Sequence, residues 1–95
     1  MRRAAKIDAN QREIIKALRA VGATVQSLAN IGKGCPDLLV GYRADNALME
    51  VKDGAKPPSA RKLTDDEAQW IGQWRGTVYV VTSVDEALAA IGATR

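Results

Sequence analysis

Apolar residues near the start of the chain recur every three to four positions, which is the spacing of one face of an amphipathic helix. The residues on this face are Ile14, Ile15, Leu18 and Val21. Asp8 followed three positions later by Gln11 has the spacing of a capping box, and Gly22 is a common residue just beyond a helix. The pattern therefore predicts a first helix from about Ala9 to Val21.

The middle of the chain changes to patterns that are typical of strands. A short β-branched run predicts a first strand at 24–28, and an almost continuous apolar stretch predicts a second at 37–42, covered on both faces. A third strand is predicted at 47–52. Because Asp45 and Asn46 favour turns, we expect the second and third strands to form an antiparallel hairpin.

A loop and a second helix are predicted after this hairpin. The loop covers residues 53–61, where a Pro-Pro pair excludes regular structure. Thr64 and Glu67 have the spacing of a capping box and open a helix that ends near Gly76. Its apolar face carries Trp70, Ile71 and Trp74.

The last part of the chain predicts one more strand and one more helix. Residues 77–82 form the clearest strand pattern, and Ser83 with Glu86 opens a helix that ends near Gly92. The order helix, three strands, helix, strand, helix predicts an α/β fold with a mixed sheet flanked by helices. Since 95 residues allow one hydrophobic core but not two, we expect a single domain over 1–95.

The composition limits the possible chemistry. The chain has no histidine, which excludes imidazole bases, imidazole metal ligands and Cys/His zinc sites. Its single cysteine, Cys35, cannot form an internal disulfide and is expected to be a small packing residue. No stretch has the pattern of a secretory signal or the length of a membrane span, so we expect a cytoplasmic protein without membrane contact.

The net charge of +3 is modest, but the cations are grouped. One group is Arg2, Arg3 and Lys6, and the other is Lys52, Lys56, Arg61 and Lys62. Two basic patches fit contact with a phosphate backbone. A solvated tail and a solvated loop explain these charges equally well.

The most informative positions are Asp37 and the run Glu50-Val51-Lys52. Side chains alternate along a strand, so Glu50 and Lys52 share one face while Val51 points into the core. If the hairpin folds back as predicted, the start of its first strand lies beside the end of its second. We therefore expect two acids and one lysine to converge.

Two carboxylates brought together repel each other, and a bound divalent cation removes that repulsion. Two carboxylates and one backbone carbonyl suit Mg²⁺, which takes the rest of its shell from water and substrate phosphate. This set of groups is typical of phosphodiester hydrolysis. The alternative is an exposed hairpin on which Asp37 caps a turn and Glu50 pairs with Lys52.

The runs GCPDLLVG, LMEVKDG and KLTDDEAQW resemble the PD-(D/E)xK nucleases, and most closely their VRR-NUC branch. The similarity covers nearly the whole chain, from Glu13 to the closing run TVYVVTSVDEALAAIG. It implies a restriction-endonuclease-like core, dependence on Mg²⁺ or Mn²⁺, and cleavage of DNA. VRR-NUC proteins of this size are similar to Holliday-junction resolvases and are associated with phages, which implies a bacterial or phage-infected cell and structure-specific cutting.

The resemblance also implies roles for individual residues. Asp37 and Glu50 match the two acidic metal ligands of the family, and Lys52 matches its catalytic lysine. The carbonyl of Val51 would complete the metal site. Glu13 matches the glutamate of the first helix, which either reaches the metal or lies at the solvent boundary.

One position departs from the family pattern. Where the family often has a glutamine in the helix after a leucine-threonine start, this chain has Glu67, with Gln69 two residues later. Both are candidate site residues. Glu67 is equally explained as the capping partner of Thr64.

Further candidates lie in the predicted loops and on the second helix. The candidate DNA-binding residues are Lys33, Lys56, Arg61 and Lys62, for which surface solubility is an almost equal explanation. Trp70 and Trp74 favour a core or interface role over base stacking.

The interpretation that follows is an Mg²⁺- or Mn²⁺-dependent endodeoxyribonuclease that acts on branched or duplex DNA. The alternatives are a catalytically silent DNA-binding module with a nuclease fold and a small interaction protein that uses its Trp-bearing helix. One chain carries one site, whereas resolving a junction needs two matched incisions, so we expect a homodimer with two-fold symmetry.

Overall fold

The computed structural model describes residues 8–94. Its elements are α1 (Gln11–Ala20), β1 (Thr24–Ser27), β2 (Leu38–Tyr42), β3 (Asp45–Val51), a short 3₁₀ turn (Pro58–Ala60), α2 (Asp65–Gln73), β4 (Val78–Val81) and α3 (Val84–Ala90). The predicted order of helices and strands is confirmed. The 3₁₀ turn lies inside the predicted loop, because a proline suits the first position of such a turn. The basic group at positions 2, 3 and 6 lies outside the described residues.

The four strands form one mixed sheet in the order β1-β2-β3-β4. The pairs β1 with β2 and β2 with β3 are antiparallel, whereas β3 and β4 are parallel, with α2 in the connection between them. A parallel pair needs such a crossover, and this one leaves α2 on a different face from α1 and α3.

The hydrophobic core lies between the sheet and the helices α1 and α3. Its fully buried side chains include Ile14 and Leu18 from α1, Met49 and Val51 from β3, and Leu88 from α3. Alternation along β3 sends its remaining side chains, including Glu50, to the face that carries α2. That face is less covered, since Leu39 is 37% exposed, and the prediction of a second strand covered on both faces is wrong.

The hairpin between β2 and β3 turns two residues earlier than predicted. Tyr42 pairs with Asp45, and the two turn residues Arg43 and Ala44 both have positive φ angles, of 49° and 71°. Two consecutive residues with positive φ give the twist that a two-residue hairpin needs. Asp45 and Asn46 therefore belong to β3, and this register moves Asp37 directly opposite Glu50.

The start of α1 also differs from the prediction. Asn10, not Asp8, is the residue before the helix, and no side chain caps the helix start. The Asn10 amide instead donates hydrogen bonds to the carbonyls of Lys52 (3.0 Å) and Thr82 (3.1 Å). It thus ties the start of α1 to the ends of β3 and β4.

The other two predicted helix starts are correct. Thr64 and Glu67 form both hydrogen bonds of a capping box. Ser83 accepts a hydrogen bond from the Glu86 backbone, while the Glu86 side chain bonds to Thr82 instead. Within residues 8–94, none of the helices combines the length and the apolar character that a membrane crossing requires.

Candidate active site

Two neighbouring strands bring Asp37 and Glu50 together. Asp37 directly precedes β2, and Glu50 is the second-last residue of β3. The pairing of Leu38 with Met49 places the two acids opposite each other. The Asp37 Oδ2 atom accepts a hydrogen bond of 2.7 Å from the backbone N–H of Val51, which fixes the carboxylate at this edge of the sheet.

Glu50 is the most unusual group in the site, because its side chain is only 2% exposed. Burial raises its pKa to about 9, and hydrogen bonding and repulsion from the carboxylates of Asp37 and Glu67 contribute to this rise. Among the described residues, its Oε1 atom has no hydrogen-bond partner. Burial likewise raises the pKa of Asp37, although the Val51 hydrogen bond opposes the shift.

Lys52 follows β3 and lies on the same side as Glu50. Its Nζ atom is 3.8 Å from Glu50 Oε2 and donates a hydrogen bond of 2.6 Å to Glu67 Oε1. Burial alone would lower the pKa of Lys52, but the hydrogen bond and the charges of Glu67 and Glu50 outweigh burial and raise it. The lysine is therefore a buried ammonium group.

Glu67 connects this lysine to the start of α2. The same Oε1 atom that binds Lys52 also accepts a hydrogen bond of 2.8 Å from the Thr64 backbone. Burial would raise the pKa of Glu67, but these two hydrogen bonds lower it. The capping role and the site role, which the sequence presents as alternatives, are thus held by one side chain. Gln69 is exposed and does not line the cleft.

These groups open into a cleft of about 400 Å³ between the end of β3, the start of α2 and the loop before β2. The loop approaches α2 closely at Gly34, whose φ angle is 83°. A Cβ atom at this position would overlap the backbone carbonyl of Asp66 and lie 2.8 Å from the Glu67 nitrogen. Glycine is therefore needed to close this wall.

The structure does not bring Glu13 into the cleft, which corrects the role that the resemblance implies. Gln11, Ile14 and Leu18 form the buried face of α1, and Glu13 is exposed because it lies about 130° away from that face around the helix axis. The acid from this part of the chain that does line the cleft is Asp8. The sequence suggests only a capping role for Asp8, and no local pattern indicates its position.

The four predicted DNA-binding cations differ in their exposure and in their position relative to the cleft. Lys33 is exposed and lines the cleft. Lys56 lies 3.7 Å from Asp8, so its charge is partly compensated. Arg61 is half-buried, and its Nε atom has no partner within residues 8–94, whereas Lys62 is exposed.

The two tryptophans lie outside the hydrophobic core. Their rings stack on each other with centroids 4.7 Å apart, and Trp74 is 49% exposed. They line an apolar groove together with Leu39 and Leu48 on the less covered face of the sheet, which carries α2. Cys35 lies between this groove and the acidic cleft and lines both.

The oxygen ligands in the cleft suit a hard cation that takes only a few of its ligands from the protein. In the part of the chain that the structure describes, no three Asp, Glu, Cys or His side chains surround a common point. Asp37 and Glu50 nevertheless face each other, and the unpartnered Oε1 of Glu50 is a buried oxygen without a donor. Two carboxylates with further oxygens from backbone and water are a typical Mg²⁺ environment.

No family model matches the chain, and no curated protein is significantly similar to it. A solved structure described as a VRR_NUC domain is similar, with a TM-score of 0.63 and 28% sequence identity. The match covers 85% of this chain and 88% of that one. The mixed four-stranded sheet flanked by helices is therefore a VRR-NUC nuclease-like fold.

Proposed function

We propose that the protein is an Mg²⁺- or Mn²⁺-dependent endonuclease that hydrolyses phosphodiester bonds of DNA. The observation that carries this proposal is the convergence of Asp37, Glu50 and Lys52 in one cleft, on a fold that resembles a VRR_NUC domain. A buried pair of acids is costly in a purely structural protein. The unpartnered oxygen of Glu50 indicates that the cleft is completed by a further group.

The proposed metal ligands are the carboxylates of Asp37 and Glu50 and the backbone carbonyl of Val51. In a strand, the N–H and C=O groups of one residue point to the same side. Because the Val51 N–H points to Asp37, its carbonyl lies on that side as well. A bound Mg²⁺ or Mn²⁺ would polarise the scissile phosphate and lower the pKa of a water molecule.

Lys52 is proposed to orient the attacking water and to offset the negative charge that develops on the phosphate. Its ammonium group lies within 4 Å of Glu50, so it is beside the metal ligands. Glu67 is proposed as a positioning residue, because its hydrogen bond holds Lys52 while its capping contact fixes it to α2. Glu67 thus acts through Lys52.

We further propose that the substrate is branched or junction DNA and that two chains act together as a homodimer. Two matched incisions need two sites, and one chain provides one. The face that carries α2 is suited to an interface because it exposes large apolar side chains. These are Ile31, Leu39, Trp74 and Val80, which are 37–52% exposed.

The proposal is tested by incubating the protein with duplex, flap and four-way-junction DNA, with and without Mn²⁺. We expect metal-dependent cleavage that is fastest on branched DNA and is lost in Glu50→Gln. Binding of DNA without cleavage in any metal would instead support the catalytically silent module. Light scattering with and without a junction measures the oligomeric state, and paired cuts by a monomer would contradict the dimer.

A further inference from the structure

A second groove, of about 510 Å³, lies between α1 and β1 and is separate from the acidic cleft. Gln11 and Ser27 line it at one end, where α1 begins and β1 ends. Toward the other end, Arg19 donates a hydrogen bond of 3.3 Å from its guanidinium to the Val25 carbonyl. The helix and the strand therefore run in opposite directions along the two sides of this groove.

The helical side of the groove is positively charged. Arg12, Lys16 and Arg19 line it, all three are exposed, and their spacing of four and three residues places them on one face of α1. At 1.5 Å per residue, the row is about 10 Å long. One strand of duplex DNA carries a phosphate every ~3.4 Å along the axis, so three cations over this distance match about three phosphates.

Gln11 provides an observation that is independent of the row of charges. A row of cations that serves only solubility does not require a buried polar side chain in the groove beside it. The Gln11 side chain lines the groove, the residue is only 3% exposed, and its Oε1 atom has no hydrogen-bond partner among residues 8–94. This acceptor lies in the wall of the groove beside the three cations and lacks a donor within the described chain.

The groove begins at the edge of the sheet where the acidic cleft lies. Ser27 pairs with Leu38, and the next residue, Leu28, donates its backbone N–H to the Asp37 carbonyl at 2.8 Å. On the other side, Asn10 precedes α1 and binds the Lys52 carbonyl. The groove and the cleft therefore begin at the same end of the sheet.

We propose that this groove binds the sugar-phosphate backbone of DNA next to the phosphate that is cleaved. The inference rests on the proposed function, since the same DNA molecule occupies the cleft. Arg12 and Lys16 contact phosphates directly, Arg19 closes the far end, and Gln11 lines the wall beside them. The groove contributes affinity and orientation and leaves the chemical step to the cleft.

The test compares two double variants that remove equal charge. Arg12→Gln with Lys16→Gln changes the groove, whereas Arg43→Gln with Arg75→Gln changes exposed cations that line neither the groove nor the cleft. Arg19 is left in place because of its bond to Val25. Binding of a labelled duplex is measured by fluorescence anisotropy at several salt concentrations in Ca²⁺, and cleavage is measured in Mn²⁺.

We expect the groove variant to reduce the slope of log K against log salt by about 1.8, since each phosphate contact contributes roughly 0.9. Its KM for DNA should rise while kcat stays the same, and the control pair should change the slope much less. If the groove variant still cuts DNA and has the same salt slope as wild type, the proposal that the groove binds DNA is overturned, but the proposed function is not. Failure of the wild type to bind DNA would overturn the proposed function too. Competition by polyglutamate as strong as by duplex DNA would point to an acidic protein partner and overturn the inference.

Discussion

Replacing Glu50 by glutamine should stabilise the metal-free protein at neutral pH. The substitution keeps the shape of the side chain and removes its charge. In the folded protein, burial and the neighbouring acids raise the pKa of Glu50 from 4.5 to about 9. The folded state therefore holds a proton that the unfolded state releases between these two pH values. The contribution of Glu50 to stability is therefore greatest below pH 4.5 and falls as the pH rises toward 9.

The size of the effect follows from the pKa difference. At pH 7.5, three pKa units separate the pH from the unfolded value, and each unit corresponds to about 1.36 kcal/mol. The upper limit of the cost is thus about 4 kcal/mol. Relaxation of the cleft and water entry reduce the effective penalty, so we expect a gain of about 2 kcal/mol for Glu50→Gln. For a domain of this size, that gain corresponds to a rise in Tm of roughly 8–16 °C.

The assay is thermal and urea unfolding in EDTA at pH 4 and pH 7.5. Glu50→Gln should exceed wild type in Tm at pH 7.5, and the two should nearly coincide at pH 4. The matched control is Glu13→Gln, which makes the same chemical change at an exposed position outside the cleft. Adding Mn²⁺ should raise the Tm of wild type and of the control but not that of Glu50→Gln, because binding to the folded state alone stabilises it.

Three results would contradict these expectations. A Glu50→Gln protein that is less stable than wild type at pH 7.5 would mean that the carboxylate is satisfied in the folded protein. A stabilisation of equal size at pH 4 and pH 7.5 would show that the gain comes from packing and not from charge. An Mn²⁺ response that survives in Glu50→Gln would remove Glu50 from the metal site.

Three further outcomes are expected. Lys52→Met should keep Mn²⁺ and DNA binding but lower kcat about 10²–10³-fold, and an equal loss of metal affinity, measured by calorimetry, would show a structural role. Glu67→Gln retains an oxygen for the helix cap but removes the charge beside the buried Lys52 ammonium, so Tm should fall at neutral pH and kcat should fall about tenfold; unchanged activity would show that Lys52 needs no positioning. Gly34→Ala should lower both Tm and cleavage rate, because its Cβ overlaps Asp66, whereas the control Gly32→Ala has a similar φ angle but no atom within 4 Å and should lose only about 1 kcal/mol. If both glycine variants lose the same Tm and cleavage rate, the close approach of Gly34 to α2 does not explain the effect.

The helices and strands follow from the sequence because the signals are local. Apolar spacing predicts α1, and capping residues predict the starts of α2 and α3. The hairpin turn is different. Asp45 and Asn46 are better turn formers than Arg43 and Ala44, yet the latter pair has the positive φ angles. Cross-strand pairing of the core residues of β2 and β3 fixes the register, and the turn must conform to it.

The acidic pair and the lysine follow from the sequence because strand alternation and a hairpin suffice to bring them together. The other members of the cleft depend on tertiary contacts. Asp8 lines the cleft because Asn10 ties the start of α1 to the ends of β3 and β4. The Glu67 side chain meets Lys52 because the loop before β2 approaches the start of α2 closely at Gly34. Sequence spacing carries no information on either contact. For Glu13, the resemblance implies a site role, whereas the phase of α1 places the residue on the exposed side of the helix.

The construction of β3 explains how so small a protein tolerates a buried acid and a buried lysine. Met49 and Val51 face the core, where both are fully buried, and Glu50 and Lys52 face the cleft. The same four residues thus hold the strand in place on one face and carry the charges on the other. Since the core contacts do not depend on the charges, the fold tolerates an electrostatically unfavourable cleft, which the proposed cation would relieve. Neutralising Glu50 should therefore remove activity while leaving the fold intact, because the residues that hold the strand are not the residues proposed to perform the chemistry.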